Sequence, residues 1–193
     1  MMGKGRIEAF SDGVIAIIIT IMVLEMKVPH GAAWADIGAL GPVFLSYVLS
    51  FLNVGIYWNN HHHLLHTAKR VNARILWANM HLLFWLSLMP FTTGWMGENH
   101  FAPAPVALYA FDLLMCAIAY FTLQHQIIAL HGNESPLATA IGGDTQGKVS
   151  LGAYLIAIPL ALAGYSWLAG ALLILVTMIW FIPDQRIEEA LRE

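Results

Sequence analysis

The chain has little charge for its length. Of its 193 residues only 11% are Asp, Glu, Lys or Arg, against about 25% in soluble domains. Hydrophobic residues supply 59%, and the mean hydropathy is +0.66. So sparse a set of charges excludes a surface that faces water all round, and leaves lipid as the solvent for most of the protein. The single Cys116 excludes an intramolecular disulfide and a cysteine-based zinc site. A net charge of −3 gives no basic footprint for nucleic acid. There is no Ser/His/Asp arrangement, glycine-rich phosphate loop or paired-carboxylate motif that survives a membrane topology, so no enzyme and no cofactor are expected. No internal repeat or low-complexity tract breaks the chain, and residues 1–193 read as a single domain.

What the sequence has in abundance is long apolar runs. With charges, prolines and glycines as punctuation, six segments emerge. They are Ile7–Val28, Ile37–Asn60, Ala73–Trp95, Pro105–His131, Thr145–Ala163 and Ser166–Ile182. Pro29 stops the first and Pro183 the last. Asn72 suits an N-cap for the third, and Pro103 and Pro105 suit the entry to the fourth. Gly164-Tyr165-Ser166 joins the last two as a tight hairpin, with Pro159 a kink or an end in the fifth. Gly142-Gly143-Asp144-Thr145 reads as a loop leading into a helix cap, and Asp184–Glu193 as a short solvated helical extension. The fold class is therefore all-α, an integral membrane protein with six transmembrane helices.

The basic residues set the orientation. In a six-span arrangement Lys4, Arg6, Lys69, Arg70, Arg74, Lys148, Arg186 and Arg192 share one side, and only Lys27 falls on the other. The positive-inside rule then places both termini in the cytoplasm. Lys4 and Arg6 before an apolar run also suit a signal peptide. Asp12 interrupts that run, however, and no small-residue cleavage site follows before Glu25, so an uncleaved first helix is expected. Trp34, Trp58, Trp77, Trp95, Trp167 and Trp180 lie mostly near proposed span ends, as interfacial anchors do.

The first helix carries the unusual chemistry. Only twelve uncharged residues separate Asp12 from Glu25, fewer than the roughly 20 needed to cross hydrocarbon. Glu8, Asp12 and Glu25 therefore lie in or close to the span, where carboxylates face a bundle interior or a water-filled cavity. For Glu25 and Lys27 an interfacial position serves as well. Ile17, Ile21 and Leu24 share one face, with Thr20 beside it and Ala9, Gly13 and Ala16 continuing it. Such a stripe suits either ordinary packing or a pore, and periodicity does not choose between them.

The run Arg6-Ile7-Glu8-Ala9-Phe10-Ser11-Asp12, followed by Gly13 and an Ile-rich helix, matches an Arg-x-x-x-Phe-Ser-Asp signature. It resembles the prokaryotic branch of the transmembrane protein 175 family, potassium channels related to the lysosomal channel of animals. Six spans with both ends inside agree with it. The resemblance implies a homotetramer in the inner (plasma) membrane, with potassium as the permeant ion and four first helices lining an axial pore. Carried over by distance from Asp12, the narrowest hydrophobic ring falls on Ile17, further rings on Ile21 and Leu24, and a hydroxyl layer on Thr20. Arg6, Phe10, Ser11 and Asp12 form the signature, a polar network that fixes the pore helix, with Asn59, His61, His62 and His63 as candidate partners. The family lacks a pore-loop filter, and no Thr-Val-Gly-Tyr-Gly segment occurs here.

Two other readings compete. His62-x-x-x-His66 puts two imidazoles on one helical face within the run His61, His62, His63 and His66, the basis of a His-rich membrane metalloenzyme. A second histidine box is missing, with only His81, His125 and His131 scattered elsewhere. Asp112, well inside the fourth span, is the basis of a cation- or proton-coupled secondary transporter. That reading wants inverted repeats or broken helices, and the sequence has neither.

Overall fold

Helix ends fall where the local chemistry puts them. A computed structural model of the chain describes residues 4–132 and 145–181, all of whose regular structure is helical. Helix α1 runs Lys4–Leu24, a short α2 Trp34–Gly38, α3 Gly41–Thr67, α4 Ala73–Leu86 and α5 Met89–Glu98. Then come α6 Pro103–His131, α7 Thr145–Leu162 and α8 Ser166–Phe181. Pro42 and Pro103 sit in the first turns of α3 and α6, where a missing N–H costs nothing. Asn72 caps α4, its Oδ1 accepting from the Ile75 amide at 3.0 Å. Gly164, at φ 93°, makes the left-handed turn between α7 and α8.

Several boundaries differ from those expected. The first helix ends at Leu24 rather than Val28; Pro29 disfavours a helical Val28. The second begins at Gly41 and continues through the histidine run to Thr67, well past Asn60. The third segment is broken between Leu86 and Met89, since Pro90 has no N–H to continue the ladder. Pro159 lies inside α7, close enough to its end for the helix to finish at Leu162. Gly142, Gly143, Asp144 and the tail Asp184–Glu193 lie outside the described residues.

Among the described residues four stretches are long and apolar enough to cross a membrane: Lys4–Leu24, Gly41–Thr67, the broken Ala73–Glu98 and Pro103–His131. The 16-residue Ser166–Phe181 is apolar but shorter. Helix α6 is the centre of the bundle, packing against α4, α5, α7 and α8, while α1 packs mainly on α3, α4 and α5. Of each helix's most apolar stretch, 61% is buried for α6 but 28% for α1 and 22% for α3, so α1 and α3 both leave much of their surface free. Lipid tails are as apolar as leucine, so small residues that admit close van der Waals approach hold such helices together. Ala153, Ala157 and Ala161 form that stripe on α7, and Ala110, Ala117 and Ala119 are buried on α6.

Polar groups cross-link the same interior. Thr93 donates to Ser50 at 2.6 Å, Ser50 to the Tyr109 hydroxyl at 3.0 Å, and Thr177 to Asn53 Oδ1 at 3.2 Å. Those three bonds join α5, α3, α6 and α8. Two helices approach closely at Gly97, where an added Cβ would strike Ser46 Oγ and lie 2.8 Å from Val43 Cα. Gly97→Ala should therefore push α5 off α3 and cost about 1–3 kcal/mol. Gly55→Ala, with nothing within 4 Å of the added atom, should not lose stability. Thermal unfolding in detergent micelles compares the two.

Candidate functional site

The two sides of α1 are chemically different. Ile7, Ser11, Ile15, Ile18 and Met22 are buried against the rest of the chain. Gly13, Ala16, Ile17, Thr20, Ile21 and Leu24 are exposed, Ile17 to 57% and Leu24 to 77%. The stripe picked out in the sequence is thus the free face of α1, and its one hydroxyl is already oriented. Thr20 Oγ1 donates to the Ile17 carbonyl at 2.9 Å, which leaves the oxygen's lone pairs free to accept.

A polar clamp fixes which face is free. Asn79 on α4 uses both ends of its amide: Nδ2 donates to Ser11 Oγ at 3.0 Å, and Oδ1 lies 2.7 Å from His61 Nε2. Because a carbonyl oxygen only accepts, His61 carries its proton on Nε2. All three residues are buried. One turn away, Trp58 Nε1 donates to Asp12 Oδ1 at 3.0 Å. Ser11 and Asp12 are adjacent in sequence, so the two bonds grip α1 from α4 and α3 together. A rotation of α1 by one residue would break both.

The expected site residues do not all join this clamp. Ser11, Asp12 and His61 do. Arg6 is exposed and makes no hydrogen bond or ion pair among the described residues, and Phe10 is 52% exposed. Asn59 is also exposed and bonds nothing there; the partner amide is Asn79, which lies one helix further on. His62 stacks on Trp58 and His66, with ring centroids 6.1 Å and 6.2 Å away, and His63 meets His62 edge-on. Among the described residues no group of three or more His, Cys, Asp or Glu side chains is placed to hold a metal ion. The missed partners had one legible signal. Asn79 is an uncharged polar residue set in the apolar run of α4, where a buried amide needs a bond.

Asp112 lies elsewhere. It is buried in α6, inside the subunit, with Oδ2 accepting from Thr92 at 3.0 Å and Oδ1 without a hydrogen-bond partner among the described residues. That bond ties α6 to α5 rather than to α1. At the far end of α1, a groove against α5 is lined by Ile17, Ile21, Phe91 and Trp95, with Glu25 and Glu98 at its rim. Lys27 Nζ bonds Glu98 at 2.7 Å. That bond, and then the carboxylate's charge, raises the Lys27 pKa; an exposed pair of this kind stabilises little.

Comparison with known proteins bears on the family of the chain. A family model described as the endosomal/lysosomal potassium channel TMEM175 matches residues 6–90, the stretch that holds the clamp. A protein of Chryseobacterium sp. named a potassium channel is 54% identical over 192 residues, covering 100% of both chains. Another so named, from Streptomyces collinus, is 35% identical over 131 residues, 64% of each chain. The crystal structure of a lysosomal potassium-selective channel TMEM175 homolog from Chamaesiphon minutus superposes with a TM-score of 0.80. It is 28% identical, and the match covers 94% of this chain and 97% of that one. These relatives are channels, not enzymes.

The clamp predicts coupled energetics. Asn79→Leu should cost about 1–3 kcal/mol, because it leaves His61 and Ser11 buried without a partner. Ser11→Ala added to it should cost much less than Ser11→Ala alone, a non-additivity above about 0.5 kcal/mol. A double-mutant cycle by denaturant unfolding in micelles measures it.

Proposed function

This chain belongs to the TMEM175 potassium channel family, and from that premise we propose that it is a potassium-selective cation channel of the bacterial inner membrane. Four copies assemble around an axis, each with six spans and both ends in the cytoplasm, and the free faces of four α1 helices line the pore. One observation carries this reading: the clamped register of α1 turns Ile17, Thr20, Ile21 and Leu24 outward while Ile15, Ile18 and Met22 are buried. A single subunit encloses no axial pore, so that face needs copies of itself to complete one.

The constriction works by what it lacks. Isoleucine offers no oxygen to replace an ion's water shell, so a narrow ring of Ile17 side chains empties of water and blocks ions. When the ring widens, an ion passes with its hydration disturbed. Potassium holds water less tightly than sodium and meets the lower barrier. Thr20 lone pairs, left free to accept by the bond to Ile17, compensate part of the lost hydration. Selectivity of this kind is modest beside a cage of carbonyls. Carboxylates at the two mouths, Asp12 and Glu25, favour cations over anions.

Ile17→Asn in liposomes tests the assignment. A ring of amides stays wet, so the expected result is a higher conductance and a potassium-over-sodium reversal potential that moves toward zero under bi-ionic conditions. Current and reversal potential both unchanged from wild type would remove Ile17 from the constriction.

A further inference from the structure

His131, in the last turn of α6, reaches across to the loop that joins α3 to α4. Its Nδ1 lies 2.8 Å from the Ile127 carbonyl, and its Nε2 lies 3.0 Å from the Lys69 amide nitrogen and 3.2 Å from that of Arg70. A carbonyl only accepts, so Nδ1 carries a proton. Two backbone amides only donate, so Nε2 is bare. Only the neutral imidazole with its proton on Nδ1 satisfies all three contacts. One more proton, on Nε2, turns the acceptor into a donor that faces two donors.

The loop itself presents Lys69 and Arg70; Arg74 is in the first turn of α4, His66 in the last turn of α3, Lys148 in the first turn of α7, and His125 on α6. From α1 come Lys4 and Glu8, which pair at 3.6 Å, while Lys4 also bonds the His66 carbonyl at 2.7 Å. Asp12 is bonded to Trp58. Among the described residues no carboxylate bonds His131. The loop matters because it joins the two helices of the clamp: α3 carries Trp58 and His61, and α4 carries Asn79.

We propose that His131 is a proton-operated latch: neutral, it fastens the α3–α4 loop to α6 and steadies the clamp on α1; protonated from the cytoplasmic side, it releases the loop and lowers the channel's current. The effect on current rests on the channel reading above, whereas release of the loop does not. The experiment therefore uses two readouts on the full chain in proteoliposomes. Hydrogen exchange, corrected for the intrinsic effect of pH, should find the Lys69 and Arg70 amides protected at neutral pH and unprotected in mild acid. In His131→Ala they should be unprotected at both. Potassium current should fall several-fold when the cytoplasmic face is acidified, and His131→Ala should be low at both pH values. Should that variant fail to fold, nitrogen-15 spectra of the wild-type histidines decide, with His131 expected as the Nδ1–H form at neutral pH. Protection in the wild type that survives acidification, or an Nε2–H form, would overturn the latch. Exchange that behaves as expected beside a current indifferent to pH would overturn its link to the pore. No current in the wild type at either pH, with exchange as expected, would instead count against the channel reading.

Discussion

The amide of Asn79 is the contact on which the rest depends. A helix packed along one edge of a bundle in lipid has weak grounds for choosing its rotation, since apolar residues on either side are equally soluble there. For α1 the choice is made by directional bonds. Ser11 is held by Asn79, Asn79 by His61, and Asp12 by Trp58. Loss of either bond to Asn79 would strand a buried polar group. Ile15, Ile18 and Met22 then fall inward and Ile17, Thr20, Ile21 and Leu24 fall outward by the periodicity of the helix alone.

The remainder of the subunit serves as the frame for that clamp. Helix α6 is the buried centre, and alanine stripes let α7 and α8 approach it. The bonds from Thr93 through Ser50 and Tyr109, with Asn53 to Thr177, fix α3 against α5, α6 and α8. Since α3 brings Trp58 and His61 to α1, a rigid α3 is what makes the clamp hold. The contact of His131 with the α3–α4 loop bears on the same frame, at the junction of the two helices that supply it.

Much of this was legible in the sequence, for identifiable reasons. Long apolar runs bounded by Pro29, Asn72 and Pro103 mark helices because capping and missing N–H groups act locally. Asp12 announces itself because a carboxylate at membrane depth is costly. The Arg6–Asp12 signature supplied the register of Ile17, Ile21 and Leu24, which periodicity alone left open. The break before Met89 was missed because the apolar run continues across Pro90. Asn79 and Trp58 were missed as partners because they come from other helices, and tertiary pairing leaves no trace in local spacing. Asn59, adjacent in sequence to the histidines, was the natural guess and points away. The same distance in sequence hides His131, whose two amide partners lie more than sixty residues before it.

The central claim is that one face of α1 meets the ion pathway and the other does not. Single cysteines placed along α1, treated with a charged water-soluble thiol reagent while potassium current is recorded from proteoliposomes, test it most directly. The one native cysteine, Cys116, is buried and gives a quiet background. Block is expected at positions 17, 20, 21 and 24 and not at 15, 18 and 22. Block at 15, 18 and 22 with none at 17 and 21, or no block anywhere along the helix, would contradict the account.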